Sequence, residues 1–246
     1  MTQLLFYDEI APLNRERHAD LRLKPSQGDC SFAAHSHFVP LAGTEFYQAA
    51  ADYPIVFAGG DEPSPVVILG LQEGHNAFVG SDGRWRSGTY VPAFVRRYPF
   101  VLARGDENDP DNLTVCVDES YSGFTREEEE GEALFDAEGN EGPALQNAVS
   151  FLQEYLAESE RTRRFVRRLS ELDLLVRRDV QITDAEDISY VLRDFRVIDP
   201  TKLDGLDDGT VVELHKSGHL GWIHAHLVSM SRLERMPATI RRAAAA

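Results

Sequence analysis

The chain has 246 residues, enough for one large domain or two small ones with a hydrophobic core. It carries 25 Lys and Arg against 41 Asp and Glu, and the formal net charge of −16 argues against non-specific binding to nucleic acid or to an anionic membrane. The N-terminal sequence MTQLLFYDEI has no basic start and no long apolar core, and the longest apolar run, residues 65–71, is too short to span a membrane. We therefore expect a cytoplasmic protein with no integral membrane segment and no nucleic-acid partner.

Short helices and strands are predicted in the first half of the chain. GTEFYQAAADYP, residues 43–54, is typical of a short helix with Thr44 as its N-cap. YPIVFAG predicts a strand, and VVILGL and NAFVG predict two further strands joined by a turn. YVPAFVRRYPFVL, residues 90–102, predicts a turn or helix start, and then an extended entry at Pro99 into a strand.

Acidic residues concentrate in one segment, residues 105–142. It holds fourteen acidic residues and one basic residue, Arg126, and therefore carries −13 of the net charge. Within it LTVCVD, residues 113–118, alternates like a half-buried strand. We expect a loop-rich insertion made of a hairpin with solvated loops. The alternatives are a cation-binding surface or an acidic arm for a partner, although EEEE lacks the alternating ligands of a calcium loop.

A long amphipathic helix, about residues 143–172, is the clearest element of the second half. Pro143 suits the first helical position, and apolar residues follow at helical spacing: Leu145, Val149, Leu152 and Leu156. One helix, or two with a break near Ser159, would satisfy the pattern. FRVID predicts a strand, PTKLDGL and DGTVVELHKSG predict short helices, and LGWIHAHLVSM suits a strand or a helix. The sequence thus predicts one α+β domain over residues 1–246, with a mostly antiparallel sheet and several short helices.

Pairs of histidines offer the main candidate chemistry. His35 and His37 are two residues apart, and two further pairs also have spacings that can present both rings to one metal: His215 with His219, and His224 with His226. A metal-dependent enzyme is therefore an alternative hypothesis, with a divalent transition metal on these histidines and Glu73 or Glu213 as a further ligand or base. No motif for a zinc protease, a serine nucleophile or a nucleotide loop is present, so we assign no catalytic residue and expect no cofactor.

Two arginines, Arg96 and Arg97, stand out in residues 90–102 of an otherwise acidic chain. A guanidinium near a strand entry either clamps backbone carbonyls and internal carboxylates or binds an anionic group of a ligand. Both interpretations stay open at this point. Cys30 and Cys116 are far apart in sequence and are expected to be free thiols.

These residues also carry a resemblance to the SapC family of bacterial proteins. Nine stretches match in order: HADLRL, FVPLAGTEFYQAAADYPIVF, VVILGLQEGHNAFV, DGRW, YVPAFVRRYPFVL, LFDAEGN, NAVSFLQEY, FRVIDPTKL and GHLGWIHAHLVSMSRL. The resemblance implies a link to bacterial surface layers or to peptide export, and it brings no established catalytic residues. Without a recognisable signal peptide, an accessory role is expected rather than that of an assembled coat subunit.

Our main hypothesis is a non-enzymatic binding or accessory protein that recognises a peptide or protein partner. Its expected contacts are the aromatic residues and arginines around residues 90–102, which are favoured at interfaces: Trp85, Tyr90, Arg96, Arg97 and Tyr98. A structural shell component is a third hypothesis, which the strong negative charge opposes unless divalent cations screen it.

Overall fold

The computed structural model describes residues 4–25, 28–104, 113–183 and 188–237. The chain divides into two compact units, each built from two stretches of sequence. The first unit comprises Met1–Asp29 and Arg96–Leu156, and the second comprises Cys30–Val95 and Ala157–Ala246. The single domain expected over residues 1–246 stays a prediction.

Antiparallel strands and six α-helices make up the regular structure of the described residues. The strands are β1 (Ile10–Pro12), β2 (Arg22–Leu23), β3 (Phe38–Pro40), β4 (Ile55–Ala58), β5 (Ser64–Ile68), β6 (Phe100–Arg104), β7 (Leu113–Asp118), β8 (Phe124–Thr125), β9 (Glu132–Ala133), β10 (Leu175–Thr183) and β11 (Ser189–Ile198). The helices are α1 (Phe46–Ala49), α2 (Ala93–Arg96), α3 (Pro143–Glu171), α4 (Pro200–Asp204), α5 (Asp208–Lys216) and α6 (His219–Ser229). The predicted α+β fold with antiparallel pairing is confirmed.

The first unit contains two small sheets, in the orders β1-β7-β6 and β8-β2-β9. Alternation along the central strand β7 sends neighbouring side chains to opposite faces, and both faces are buried. Val117 enters a cluster with Leu21 and Phe100, whereas Cys116 packs with Tyr7 on the other face. The free thiol of Cys116 is therefore part of a core.

One uninterrupted helix, α3, accounts for the long amphipathic pattern. It runs over Pro143–Glu171 without a break near Ser159. The hydroxyl of Thr162 donates to the carbonyl oxygen of Glu158 at 2.6 Å, so this polar side chain is satisfied within the helix. Asp173 has a φ of 52°, and the N–H of Leu174 bonds to the carbonyl of Leu169, which closes the C-terminal end.

A five-stranded sheet in the order β10-β11-β4-β5-β3 forms the centre of the second unit. Its strand β4 is buried along three of its four residues. The ring of Phe57 on β4 lies 6.4 Å from Phe165 of α3, and Phe165 lies 5.2 Å from Trp222 of α6. Helices α3 and α6 thus share an aromatic core with the sheet.

Helix α6 resolves the ambiguity of LGWIHAHLVSM. Buried side chains recur at helical spacing, at Trp222, Ile223, His226 and Ser229, and the intervening Val228 is 65% exposed. A strand would have alternated these residues between faces. The predicted helices at PTKLDGL and DGTVVELHKSG are confirmed as α4 and α5, and the predicted strand FRVID is the end of the longer β11.

Two local predictions differ from the structure. NAFVG is not a regular strand, because the side chain of Asn76 accepts the N–H of Phe78 at 2.9 Å in place of a strand partner, and Val79 forms only an isolated bridge. Thr44 is not the N-cap of the first helix. The segment begins as a 3-10 turn, Gly43–Glu45, and the carboxylate of Glu45 accepts the N–H of Ala42 at 2.9 Å.

The acidic segment, residues 105–142, contributes regular structure to the first unit. It contains β7 from residue 113 onward, and its strands β8 and β9 pair with β2. Residues 105–112 lie outside the described residues. Among the described helices, none combines the length and apolar character that crossing a membrane requires.

Candidate binding pocket

The arginine pair of residues 90–102 lies against aromatic rings of the first unit. The guanidinium carbon of Arg96 is 5.1 Å from the ring centre of Phe151. That of Arg97 is 5.9 Å from Tyr7 and 5.4 Å from Tyr155. Cations at such distances are attracted to the ring faces. Arg97 is half-buried and Arg96 exposed, so the geometry favours a clamping role for Arg97.

Tyr98 is also held by internal contacts of the first unit. Its hydroxyl donates to Oδ2 of Asp118 at 3.2 Å, and its ring lies edge-on to Tyr7 and Tyr121 at 5.3 and 5.2 Å. Burial and the neighbouring Asp118 carboxylate raise the pKa of Tyr98 above its ordinary value. The phenol is therefore a neutral donor within the fold.

Trp85 and Tyr90 belong to the second unit, whereas the other three predicted contacts belong to the first. The indole N–H of Trp85 donates to the hydroxyl of Tyr53 at 3.1 Å, and Trp85 is only 9% exposed. The hydroxyl of Tyr90 donates to Oε1 of the buried Glu45 at 2.8 Å. The five predicted contacts are thus distributed between the units and form no single site within either.

Histidines of the metal hypothesis occupy different environments in the second unit. His215 and His224 are exposed, whereas the ring of His219 lies 5.1 Å from Phe165 and 5.4 Å from Trp222. Within residues 4–25, 28–104, 113–183 and 188–237, no group of three His, Cys, Asp or Glu side chains could hold a metal ion. The alternative of a metal-dependent enzyme has no ligand set in this part of the chain.

His226 has a structural environment instead. It is fully buried, its Nδ1 bonds to the carbonyl of Ile55 at 2.9 Å, and its Nε2 accepts the N–H of Ile198 at 3.1 Å. Burial lowers the pKa of His226 to about 4, and the bond to Ile55 opposes that shift only in part. With both ring nitrogens engaged, this neutral imidazole offers no lone pair to a metal.

A pocket of about 480 Å³ lies in the first unit, in a region that the sequence did not single out. It is lined by residues that precede β2 and by the segment from β7 to β8: Arg17, His18, Leu21, Glu119, Tyr121, Phe124, Thr125 and Arg126. The volume falls in the range of small-ligand sites, about 300–1,000 Å³. The pocket is therefore a candidate functional site.

His18 and Glu119 form the polar base of this pocket. His18 is 1% exposed, and the backbone N–H of Asn14 donates to its Nδ1 at 2.9 Å. An N–H can only donate, so this bond assigns the ring proton to Nε2, which lies 2.7 Å from Oε1 of Glu119. The other oxygen of Glu119 accepts from the guanidinium of Arg17. The Glu119 carboxylate is thus fixed between an imidazole and an arginine.

Tyr121 and Phe124 form an aromatic wall. Their rings meet edge-on at 5.4 Å, and Phe124 lies 6.0 Å from Phe100. Gly123 permits this geometry, because a Cβ there would lie 2.4 Å from Cε1 of Tyr121. Tyr98 lies edge-on to Tyr121 at 5.2 Å. Tyr98 and Phe100 therefore pack against the two rings of the pocket wall.

The rim of the pocket carries two guanidinium groups. Arg17 and Arg126 have side chains that are 61% and 54% exposed. Arg126 pairs with Asp20, a carboxylate outside the pocket lining. Formal lining charges of two arginines and one glutamate sum to +1, the opposite sign to the chain as a whole.

Sequence reasoning missed this site because its parts are distant in sequence. His18 and Glu119 are 101 residues apart, and Glu119 lies within the acidic segment that we interpreted as solvated loop. A weak signal was present, since ESYSGF interrupts that segment with aromatic residues. Spacing alone gives no means of pairing it with HADLRL.

Comparison with known proteins identifies a family. The SapC family model matches residues 13–236, and this match includes the whole of the pocket lining. No curated protein and no solved structure matches the chain. The match to the family model covers most of the 246 residues, and the chain therefore belongs to the SapC family.

Proposed function

We propose that this chain is a non-enzymatic binding or accessory protein of the cytoplasm, which recognises a peptide or protein partner and serves a cell-surface or export system. The pocket of the first unit is the observation that supports this function. It joins an aromatic wall, Tyr121 and Phe124, to an exposed arginine rim. Aromatic residues and arginines supply much of the binding energy at protein interfaces.

The polar base of the pocket favours recognition over catalysis. A general base needs a ring nitrogen within reach of a substrate proton, but both nitrogens of His18 are engaged by Asn14 and Glu119. Buried hydrogen bonds of this kind fix side chains in place before a ligand arrives, which lowers the entropic cost of binding. His18 thus acts as a positioning residue for Glu119.

The arginine–aromatic stretch supports the same function in two ways. Tyr98 and Phe100 contact Tyr121 and Phe124 and so stabilise the wall. Arg96 is the exposed member of the arginine pair, and we propose that it contacts the partner directly, as expected from the sequence. Arg97 would act indirectly, through its contacts with Tyr7 and Tyr155.

Affinity capture with quantitative mass spectrometry tests this function. The bait is the full chain, as the wild type, Tyr121→Ala, or Arg15→Gln as a control on the same unit but outside the pocket lining. We expect one protein to be enriched by the wild type and by Arg15→Gln, and to be lost with Tyr121→Ala, with a thermal melt of that variant confirming that the fold is retained. Equal capture by all three baits would exclude the pocket, and turnover of a captured small molecule would exclude a non-enzymatic role.

A further inference from the structure

We infer that the pocket of the first unit receives a peptide carboxylate next to an apolar side chain. The carboxylate would meet Arg17 and Arg126, and the apolar side chain would lie on the wall of Tyr121 and Phe124. This inference rests on the proposed function, because it specifies the chemistry of the partner segment that the pocket recognises.

The pairing of charged side chains within the pocket favours binding of an anionic ligand over a cationic one. Glu119 is the carboxylate of the lining, and His18 and Arg17 already donate to its two oxygens. A ligand cation would have to compete with both donors. Arg126 has its carboxylate partner, Asp20, outside the lining. The formal charge of the lining itself is therefore positive, since the carboxylate that balances Arg126 lies outside the lining.

Hydrogen-bonding capacity at the rim points the same way. A guanidinium carries five N–H donors in a planar fork, more than one carboxylate oxygen can engage. The pair Arg126–Asp20 joins two exposed side chains, where an ion pair contributes little free energy and exchanges readily. A ligand carboxylate can therefore replace Asp20 at Arg126 at small cost, and it can join Arg17 without displacing Glu119.

Apolar surface beside the rim supplies the second half of the specificity. Tyr121, Phe124 and Leu21 line the pocket together with the arginines. Leu21 and Phe124 belong to the hydrophobic core cluster of the unit, so this wall is anchored rather than free to collapse. A peptide side chain on this wall buries apolar area, and its neighbouring carboxylate reaches the rim.

Capped hexapeptides provide defined probes for the test. GSFDSG carries both features; GSFNSG and GSFKSG replace the carboxylate by an amide or a cation, and GSGDSG removes the ring. Two further probes, the pentapeptide GSGSF with a free and with an amidated C-terminus, separate a side-chain carboxylate from a terminal one. Binding to the full chain is followed by shifts of backbone amide resonances in 15N-correlated NMR spectra. We expect GSFDSG to bind roughly tenfold more tightly than GSFNSG, as one charged hydrogen bond allows, and GSFKSG to bind most weakly.

Peptide binding by three protein variants identifies the side chains that recognise the carboxylate and the apolar group. Arg126→Gln should abolish the preference for GSFDSG over GSFNSG, and Arg15→Gln should retain it, because Arg15 is exposed and lies outside the lining. Gly123→Ala should displace the ring of Tyr121 and weaken both peptides equally. Thermal melts of each variant confirm that the fold is retained.

Different experimental results would contradict this inference and the proposed function. Tighter binding of GSFKSG, or an unchanged preference in Arg126→Gln, overturns the carboxylate while leaving partner recognition in place. Absence of any shift at pocket residues with every peptide, with a partner still captured through the pocket, also overturns it. Loss of both peptide binding and Tyr121-dependent capture would refute the proposed function itself.

Discussion

The Nδ1 atom of His226 lies 2.9 Å from the backbone carbonyl oxygen of Ile55, at the start of β4. Its other ring nitrogen accepts the N–H of Ile198, at the end of β11. One neutral imidazole on α6 therefore ties the helix to two adjacent strands of the five-stranded sheet. Protonation would turn Nε2 from an acceptor into a donor that faces another donor.

Stability of the protein should fall on acidification because of this contact. Burial lowers the pKa of His226 to about 4, compared with about 6.5 in an unfolded chain. The unfolded state therefore binds a proton first as the pH falls. The contribution of His226 should be complete above pH about 6.5 and be lost progressively towards pH about 4, a change of about 3 kcal/mol in the free energy of unfolding.

Urea unfolding between pH 4 and pH 8 measures this change, with His226→Asn as the matched variant. Asn can donate to the carbonyl of Ile55 but does not titrate in this range. Its free energy of unfolding should be lower than that of the wild type at pH 8, and the difference should shrink towards pH 4. A difference that is constant with pH would show that His226 does not titrate as its burial demands.

A close approach between Gly43 and Trp222 makes a second prediction. A Cβ at position 43 would lie 2.3 Å from Cζ3 of Trp222, a ring that is 3% exposed and packed against Phe165. Gly43→Ala must therefore displace a buried indole, and we expect a loss of about 1–3 kcal/mol in the free energy of unfolding. Urea titration measures it.

Gly205→Ala is the control for that substitution. Gly205 lies at the end of α4, with a negative φ and no atom nearer than 3.6 Å to the added Cβ. Its free energy of unfolding should stay within about 0.5 kcal/mol of the wild type. Equal losses for both variants would mean that the contact at Trp222 relaxes freely.

Asp118 makes a third prediction, at the end of β7. Its Oδ1 accepts the N–H of Glu9 at 3.0 Å and the hydroxyl of Ser120 at 2.7 Å, and its Oδ2 accepts the N–H of Asp8 at 3.0 Å. Burial alone would raise the pKa of Asp118, but the hydrogen bonds from Ser120, Asp8 and Glu9 outweigh it and the pKa is lowered. Asp118→Asn would present an N–H to at least one of these donors and should lose about 1–3 kcal/mol.

Ser120→Ala should cause a smaller loss of stability than Asp118→Asn, since it removes one hydroxyl donor and leaves the Asp118 carboxylate in place. Its expected loss is about 1 kcal/mol. Because the pKa of Asp118 is lowered in the fold, its contribution should be present at neutral pH and be lost as the pH falls through the acidic range. A stability of Asp118→Asn equal to the wild type at pH 7 would contradict the assigned bonds.

The elements that local chemistry determines were predictable from the sequence. Pro143 and the apolar spacing that follows it led to α3, and alternation in LTVCVD led to β7 with its bounds. NAFVG was predicted wrongly because a single buried side chain, Asn76, replaces the bonds of a strand partner. Such a replacement depends on a tertiary contact that no periodicity reports.

The pocket was beyond sequence reasoning for a related physical reason. The imidazole of His18 and the carboxylate of Glu119 are brought together by the pairing of β1 with β7, which places Ile10 opposite Asp118. The arginines and aromatic residues of residues 90–102 were recognisable in the sequence, but the guanidinium of Arg97 packs on the rings of Tyr7 and Tyr155 within the fold. An arginine beside aromatic residues in sequence predicts an interface and a core equally well.

Arg97 and Arg96 provide a fourth prediction, which separates clamping from recognition. Arg97→Ala removes a guanidinium from two ring faces and should cost about 1–2 kcal/mol of stability, visible as a lower melting temperature. Arg96→Ala removes an exposed guanidinium that lies over the ring of Phe151 and should change the melting temperature less. If Arg96 contacts the partner, capture falls for Arg96→Ala at unchanged stability. An unchanged melting temperature for Arg97→Ala would contradict the clamping role and favour the interpretation of Arg97 as a partner contact.

The hydrogen bond between His18 and Glu119 makes the last prediction, which a double-mutant cycle measures. His18→Asn retains an acceptor for the N–H of Asn14 but cannot reach Glu119, and Glu119→Ala removes the acceptor for His18 together with the charge that Arg17 meets. Because the two side chains contact directly and one is fully buried, we expect a coupling of about 1 kcal/mol in the free energy of unfolding. The cycle needs both single variants, the double variant and the wild type, unfolded in urea at pH 7.

Ser120→Ala combined with His18→Asn serves as the comparison cycle, because Ser120 is absent from the pocket lining. Additive losses in the first cycle would show that His18 does not position Glu119, and the rigid polar base on which the binding proposal depends would then be lost.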